Sequence, residues 1–184
     1  MMEMNETLKT IMTRRSVKSY SSKMPSREDI DAVIKAGLAA ASGRNAQSAV
    51  VVAITDKEMR DKYSRANAEV LGSSIDPFYN APVILCVLVR ADAVCVLVRA
   101  DAVCAAYDGP IALGNMMVAA HSLGLGSCWI HRAREVFLKE EWKEWLASLG
   151  LQGEYIGVGN LALGYLEGEY PAPKPIKDGR VFYV

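Results

Sequence analysis

Three separated stretches of this chain carry side chains that suit a ligand with a phosphate and a flat polar ring. Guanidinium and hydroxyl groups donate hydrogen bonds to phosphate oxygens, and side-chain amides hydrogen-bond with the edge of a ring. Taken singly, each group is more simply interpreted as solvated surface, and only their conjunction indicates a binding site. The candidates are Arg14, Arg15, Ser16 and Lys18 in a basic segment, Asn45 and Gln47 in a polar loop, and Lys174 and Lys177 in a proline-rich tail.

Motifs for other chemistries are absent or incomplete. The segment from Gly124 begins like a dinucleotide-binding fingerprint, but Trp129 stands where the third glycine belongs, and the segment follows a predicted helix rather than a strand. The P-loop, HExxH and GxSxG patterns do not occur. The two histidines, His121 and His131, lie in different predicted elements. We therefore expect a structural role for His121 and no metal site.

The composition is that of a globular protein, with 51% hydrophobic and 23% charged residues among 184. This length predicts a single domain over residues 1–184. Lysine plus arginine equals aspartate plus glutamate at 21 each, so no net charge attracts nucleic acid or an anionic membrane, and we expect neither as a partner. No apolar run approaches a membrane span, and four cysteines without a CxxC pair favour a reducing compartment. A cytoplasmic location is predicted.

Helix-start signals define the elements that must position these groups. Asn5 and Asp56 are typical N-cap residues, and Ser26 begins a capping box. The segment Asp108–Pro110 predicts the start of a buried central helix that ends near residue 124. A single amphipathic helix is predicted over residues 133–149.

Runs of β-branched and other apolar residues predict the strands. Residues 50–54 and 83–89 lack polar alternation, and each is expected to form a strand buried on both faces. Residues 127–130 predict a short strand and residues 155–165 a glycine-interrupted one. The tail ends in a strand-like segment at residues 181–184.

A nine-residue segment, Cys86–Val94, is repeated without change as Cys95–Val103. Because nine is odd, the second copy in one continuous strand would present its side chains to the opposite face. We therefore expect the first copy to finish a strand. The second is expected to form an inserted loop or a strand extension, with no separate function.

The order of these motifs resembles that of the FMN-dependent nitroreductase family. The resemblance covers nearly the whole chain and rests on Arg14–Lys18, Asn45–Gln47, Asp108–Gly109 and Leu123–Ile130. It implies an α+β fold with a central mixed, mainly antiparallel sheet wrapped by helices. It also implies a homodimer with FMN at the subunit interface, in which the C-terminal tail, about residues 170–184, reaches the partner subunit and adds a strand.

The resemblance also assigns roles to individual residues. Arg14 and Ser16 would hold the FMN phosphate and ribityl chain with Arg15 beside them, and Lys174, together with Lys177, would close over the phosphate.

Other residues would lie along the flavin ring. Lys18 would face its pyrimidine edge, where a cation stabilises the negative charge that reduction places there. Ser42 and Asn45 would approach from the partner subunit. The residues whose backbone would run along the ring are Trp129, Ile130 and His131. An N–H of His131 or Arg132 would be directed at N5 or O4.

The activity implied by the resemblance is hydride transfer from NADH or NADPH to FMN, followed by reduction of a small electron-poor acceptor such as a nitroaromatic or a quinone. No side chain is assigned as catalytic, because the cofactor carries the chemistry at N5 and the protein supplies position and charge. The alternatives are a reductive dehalogenase-type flavoprotein, a flavin-binding or sensory protein with little turnover, and an interaction module without a cofactor.

Two departures from the family pattern bear on the choice of substrate. Ser48 and Ala49 follow Gln47 where the family commonly has proline and an aromatic residue. The chain also has no room for the helical excursion that covers the flavin in longer members. We expect a more open substrate pocket.

Overall fold

The computed structural model describes residues 4–91 and 102–184, with the backbone alone for residues 102–106. The strands are β1 Ala49–Ile54, β2 Val83–Arg90, β3 Gly126–Ile130 and β4 Tyr155–Gly164. They form one sheet in the order β1-β2-β4-β3, and all three strand pairs are antiparallel. A parallel bridge joins Ser16 to Ser127 beside the sheet. The predicted α+β class with a mainly antiparallel sheet is confirmed.

Helices surround this sheet, and three of their starts follow the sequence prediction. The side chains of Asn5, Ser26 and Asp56 each accept a hydrogen bond from the backbone N–H three residues later, at 2.9, 3.0 and 2.8 Å. Each cap satisfies a donor that the first helical turn leaves unpaired, a contribution of about 1 kcal/mol. In the described part of the chain the helices are α1 Glu6–Thr13, α2 Arg27–Leu38, α3 Lys57–Leu71, α4 Ala102–Ser122, α5 Ala133–Phe137 and α6 Glu140–Ser148.

Different helices cover the two faces of the sheet. On the central strand β2, Leu85 belongs to a buried cluster with Met116 of α4 and side chains of α2. Its neighbour Cys86 points the other way, into a cluster with Tyr63 of α3 and side chains of α5 and α6. All residues of Val83–Val89 are buried, which confirms that this strand is covered on both faces. The sheet is therefore the middle layer of three.

The central helix α4 begins at Ala102, so the prediction that Asp108–Gly109 opens it is wrong. The Asp108 carboxylate accepts hydrogen bonds from the Gly43 N–H at 3.0 Å and from the Ser48 hydroxyl at 2.6 Å. Asp108, which resembles a helix cap in the sequence, therefore makes a tertiary contact instead. Pro110 lies inside the helix, which lacks one backbone hydrogen bond there because proline has no N–H.

Two other element predictions are corrected. Residues 133–149 form two helices, because the backbone of Lys139 is extended, with ψ of 139°. The break allows Phe137 and Trp142 both to be buried, with their rings in an edge-to-face contact. Strand β1 lies at the edge of the sheet, and only two of its six residues are buried. The expectation that it is covered on both faces is wrong.

The structure describes the repeat in part and the tail in full. The first copy of the repeat finishes β2 as predicted, whereas most of the second copy lies outside the described residues, and its last two residues begin α4. Residues 170–184 form no strand within the described chain, so strand addition to a partner stays a prediction.

Within the described ranges, no helix combines the length and apolarity needed to cross a bilayer. No three His, Cys, Asp or Glu side chains of these ranges converge as metal ligands.

Candidate functional site

The basic segment after α1 lies against the start of β3. The N–H of Val17 donates to the carbonyl of Ser127 at 3.0 Å, and the side chains of Val17 and Tyr20 are buried. Because these two residues point into the core, Ser16 and Lys18 are left exposed at the surface. The fold therefore fixes which members of the basic segment are available to a ligand.

Gly126 makes this close approach possible. A Cβ atom at Gly126 would lie 2.9 Å from three side-chain carbons of Val17, closer than real Cβ contacts allow. Because Gly126 has no side chain, the basic segment can pack directly on β3.

Gly126→Ala should lower the free energy of unfolding by about 1–3 kcal/mol, because the added methyl group must displace the buried Val17 side chain. Gly114→Ala is the matched control, since nothing lies within 4 Å of its Cβ position on α4. Alanine is also the better helix former there. Urea unfolding measures both variants. Equal stabilities would contradict the packing of Val17 on Gly126.

The exposed face of the basic segment opens onto a cleft of about 720 Å³. This volume falls in the range typical of small-molecule sites. The lining carries four cationic side chains and no carboxylate, so it favours an anion. The residues that line it are Arg14, Arg15, Ser16, Lys18, Cys128, Trp129, Pro171, Ala172 and Lys174.

The two arginines of the cleft are not equivalent. The Arg15 Nη1 atom donates to the carbonyls of Met12 and Arg14, both at 2.8 Å, and so satisfies acceptors at the end of α1. The Arg15 Nε and the Arg14 Nη1 are buried without a partner in the described residues. An unpaired buried donor costs about 1–3 kcal/mol, and more when it is charged. Two such donors at a cationic cleft indicate that an anionic ligand supplies the missing acceptors.

Cys128 forms a neutral wall of this cleft, and no candidate set from the sequence includes it. Burial raises the pKa of its thiol, although the charges of Lys18 and Arg14 and a hydrogen bond with Ser16 act in the opposite direction. The thiol is therefore protonated at neutral pH. Cys128 lies beside Trp129 in the segment that resembles the family. That segment forms a strand whose alternate residues face the basic segment, which is the pattern that could have selected Cys128.

A second pocket, of about 290 Å³, adjoins the cleft through Trp129. The indole can lie across β4 because Gly159 has no side chain, and a Cβ there would be 2.4 Å from the Trp129 Nε1. Tyr79 in this pocket has a left-handed backbone, with φ of 56°, and its ring centroid lies 5.7 Å from the Lys18 Nζ. The lining residues are Asn67, Leu71, Pro77, Tyr79, Trp129, Ile130, His131 and Arg132. Sequence patterns gave no reason to select Asn67 or Tyr79.

The polar loop lies elsewhere in the same chain. Ser42 and Gln47 line a separate pocket of about 170 Å³ together with Asp108. The side-chain amides of Gln47 and Asn45 hydrogen-bond to each other at 3.3 Å. Among the described pockets, neither Asn45 nor Lys177 contributes to the lining. One chain alone therefore does not bring Ser42, Asn45, Gln47 and Lys177 to the cationic cleft.

The fold and the cleft together define a class of protein with a cationic, anion-favouring cleft beside the edge strand of a helix-covered antiparallel sheet. The chain belongs to the nitroreductase family, whose sequence profile matches residues 11–165. The family predicted from the motifs is confirmed.

Individual relatives agree with this assignment. A protein of Archaeoglobus fulgidus with the provisional name NADH dehydrogenase/NAD(P)H nitroreductase is 31% identical over 167 residues, 90% of this chain and 88% of that protein. An NAD(P)H FMN reductase of Bacillus subtilis is 31% identical over 139 residues, 71% of this chain but only 56% of that longer protein. The crystal structure of a nitroreductase with bound FMN from Bacteroides fragilis is 28% identical, with a TM-score of 0.83, and covers 98% of this chain and 100% of that chain.

Proposed function

We propose that this protein is an NAD(P)H-dependent FMN oxidoreductase that reduces a small electron-poor acceptor such as a nitroaromatic or a quinone. The observation that supports this most is the pair of buried, unpartnered guanidinium donors on Arg14 and Arg15 at the cationic cleft. The FMN-bound structure from Bacteroides fragilis and the FMN reductase of Bacillus subtilis support the choice of flavin. When bound, FMN supplies hydride acceptance and electron transfer, so the chain itself must bind, orient and set the local charge.

The arginine end of the cleft is the proposed phosphate site. Arg14 Nη1 and Arg15 Nε would donate to phosphate oxygens, and the Ser16 hydroxyl would add a neutral donor. Lys174 lines the same cleft from the tail and would close over the phosphate, and Lys177, which does not line the cleft in one chain, would join it. Hydrogen bonds of this charged kind contribute about 1.5–3 kcal/mol each.

The other end of the cleft is the proposed ring site. Lys18 would place a positive charge beside the pyrimidine edge and so would favour the negative charge that reduction creates there. Strand β3 lies at the edge of the sheet, so backbone groups of Trp129–His131 that do not pair with β4 are available to a ligand. An N–H of His131 or Arg132 is the proposed donor to N5 or O4.

The working form is proposed to be a cytoplasmic homodimer. In it Ser42 and Asn45, with Gln47, reach the partner's flavin. The tail of about residues 170–184 lines the cleft of its own chain as far as Lys174 and then reaches the partner subunit. Large apolar side chains left exposed in one chain support this, among them Ile11 of α1 at 48% and Phe182 of the tail at 83% exposure. Exposed apolar surface of this kind is typical of association sites.

Absorbance spectroscopy of the purified protein tests the proposed function. We expect flavin bands in the protein as isolated or after addition of FMN, loss of these bands on anaerobic addition of NADH or NADPH, and their return when a nitroaromatic or a quinone is added. Bleaching without reoxidation by any acceptor would indicate a flavin-binding protein with little turnover. A protein that neither contains nor binds FMN would contradict the proposal.

A further inference from the structure

Tyr170 joins the start of the C-terminal tail to the residues beside the cationic cleft. After β4 the chain runs beside the basic segment as far as Glu167, whose N–H donates to the carbonyl of Ser19 at 3.1 Å. Beyond that point the tail has no helix or strand in the described structure. Among the described residues, the hydrogen bonds of Tyr170 are the last that join the tail to the rest of the chain. The cleft-lining residues Pro171, Ala172 and Lys174 follow directly.

The Tyr170 hydroxyl joins the ends of α1 and α4. It accepts a hydrogen bond from the backbone N–H of Arg15 at 2.7 Å, donates to the Thr13 carbonyl at 3.3 Å, and lies 3.2 Å from the His121 Nδ1. The rings of Tyr170 and His121 also stack, with centroids 5.5 Å apart and 22° between their planes. Tyr170 is nevertheless 42% exposed, so these contacts rather than burial hold it in place.

His121 links the hydroxyls of Thr13 and Tyr170. Its Nε2 lies 2.9 Å from the Thr13 hydroxyl, and its Nδ1 lies 3.2 Å from the Tyr170 hydroxyl. A neutral imidazole donates one of these hydrogen bonds and accepts the other. Burial lowers the pKa of His121, and the charges of Arg14 and Arg15 lower it further, so the ring stays neutral at pH 7.

We propose that Tyr170 and His121 form a latch that positions the tail and the Arg14–Arg15 backbone around the phosphate end of the cleft. This inference rests on the proposed function, because it takes the FMN phosphate as the anion. The latch residues touch the main chain that carries the two unpartnered guanidinium groups, and the tail that carries Lys174. Both residues are positioning residues, since neither lines the cleft itself.

Tyr170→Phe removes the latch hydroxyl and keeps the stacked ring. We expect the dissociation constant for FMN to rise about five- to tenfold, as loss of one or two net hydrogen bonds allows. The dissociation constant for riboflavin, which has no phosphate, should stay at the wild-type value. The kcat with saturating FMN and NADH should also be unchanged. His121→Phe, which keeps a ring but no nitrogen, should give the same pattern. Tyr183→Phe is the matched control, because it removes a hydroxyl from an exposed ring of the same tail.

Fluorescence titration with FMN and riboflavin separates the possible outcomes. An unchanged FMN constant in both Tyr170→Phe and His121→Phe overturns the latch, and so does an equal loss for FMN and riboflavin. Failure of the wild-type protein to bind FMN would overturn the proposed function and the latch with it. If the wild-type protein binds FMN, and Arg14→Ala weakens this binding while Tyr170→Phe and His121→Phe do not, then the latch is rejected and the proposed function is not.

Discussion

Arg14→Ala should raise the dissociation constant for FMN about 10- to 100-fold. The Arg14 Nη1 is buried and without a partner in the described residues, so the protein has paid the desolvation cost of this donor and an anion gains a charge-assisted hydrogen bond worth about 1.5–3 kcal/mol. The affinity for riboflavin should change little, because it lacks the phosphate. Fluorescence titration with both ligands measures the difference.

Arg65→Ala is the matched control for this substitution. Arg65 is an exposed arginine of α3 that lines neither the cleft nor the adjoining pocket, so its loss removes the same charge from the whole protein. A comparable loss of FMN affinity in both variants would mean that net charge, and not a contact, governs binding. If Arg14→Ala binds FMN as tightly as the wild type does, the cleft is not the phosphate site.

Features that depend on neighbours in the chain could be predicted from the sequence. The caps at Asn5, Ser26 and Asp56 each use a side chain and a backbone N–H only three residues apart, so the local pattern contains the whole interaction. Strand β2 was recognisable because continuous burial on both faces demands a continuous apolar run. The basic segment Arg14–Lys18 was found because its charged side chains follow directly on a helix end.

Features that depend on distant partners could not be predicted. Asp108 was interpreted as a helix cap because its partners Gly43 and Ser48 lie 65 and 60 positions away. Tyr170 was overlooked for the same reason, since its hydroxyl bonds to Arg15 across 155 positions. The break at Lys139 also has no local signal. It follows from the packing of α5 and α6 around the shared core on one face of the sheet.

The Asp108 contact explains how the polar loop keeps an unfavourable shape. Arg44, Asn45 and Gln47 have φ of 53°, 56° and 48°, a left-handed backbone that costs about 1–2 kcal/mol for each non-glycine residue. The carboxylate holds the loop at both ends through the Gly43 N–H and the Ser48 hydroxyl. Ser48 thus supplies a side-chain donor to the carboxylate at the far end of the loop.

Asp108→Ala should lower the free energy of unfolding by about 2–4 kcal/mol, because it leaves the Ser48 hydroxyl, which is buried, and the Gly43 N–H without their acceptor. Asp108→Asn keeps one acceptor oxygen and can donate to the Ser48 oxygen, so it should recover most of this loss. Urea unfolding measures the stability of both variants. A stability of Asp108→Ala equal to the wild type would contradict the two-ended contact.

The same variants test whether the loop belongs to the flavin site. With Asp108 removed, the left-handed residues are free to relax, and the amides of Asn45 and Gln47 lose their fixed positions. FMN affinity should then fall in Asp108→Ala and return in Asp108→Asn, in parallel with stability. Because no residue of this loop lines the cationic cleft of its own chain, a loss larger than the fall in stability explains would support the proposal that the loop acts on the flavin of a partner subunit. An unstable Asp108→Ala that binds FMN as tightly as the wild type would instead leave the loop with a purely structural role.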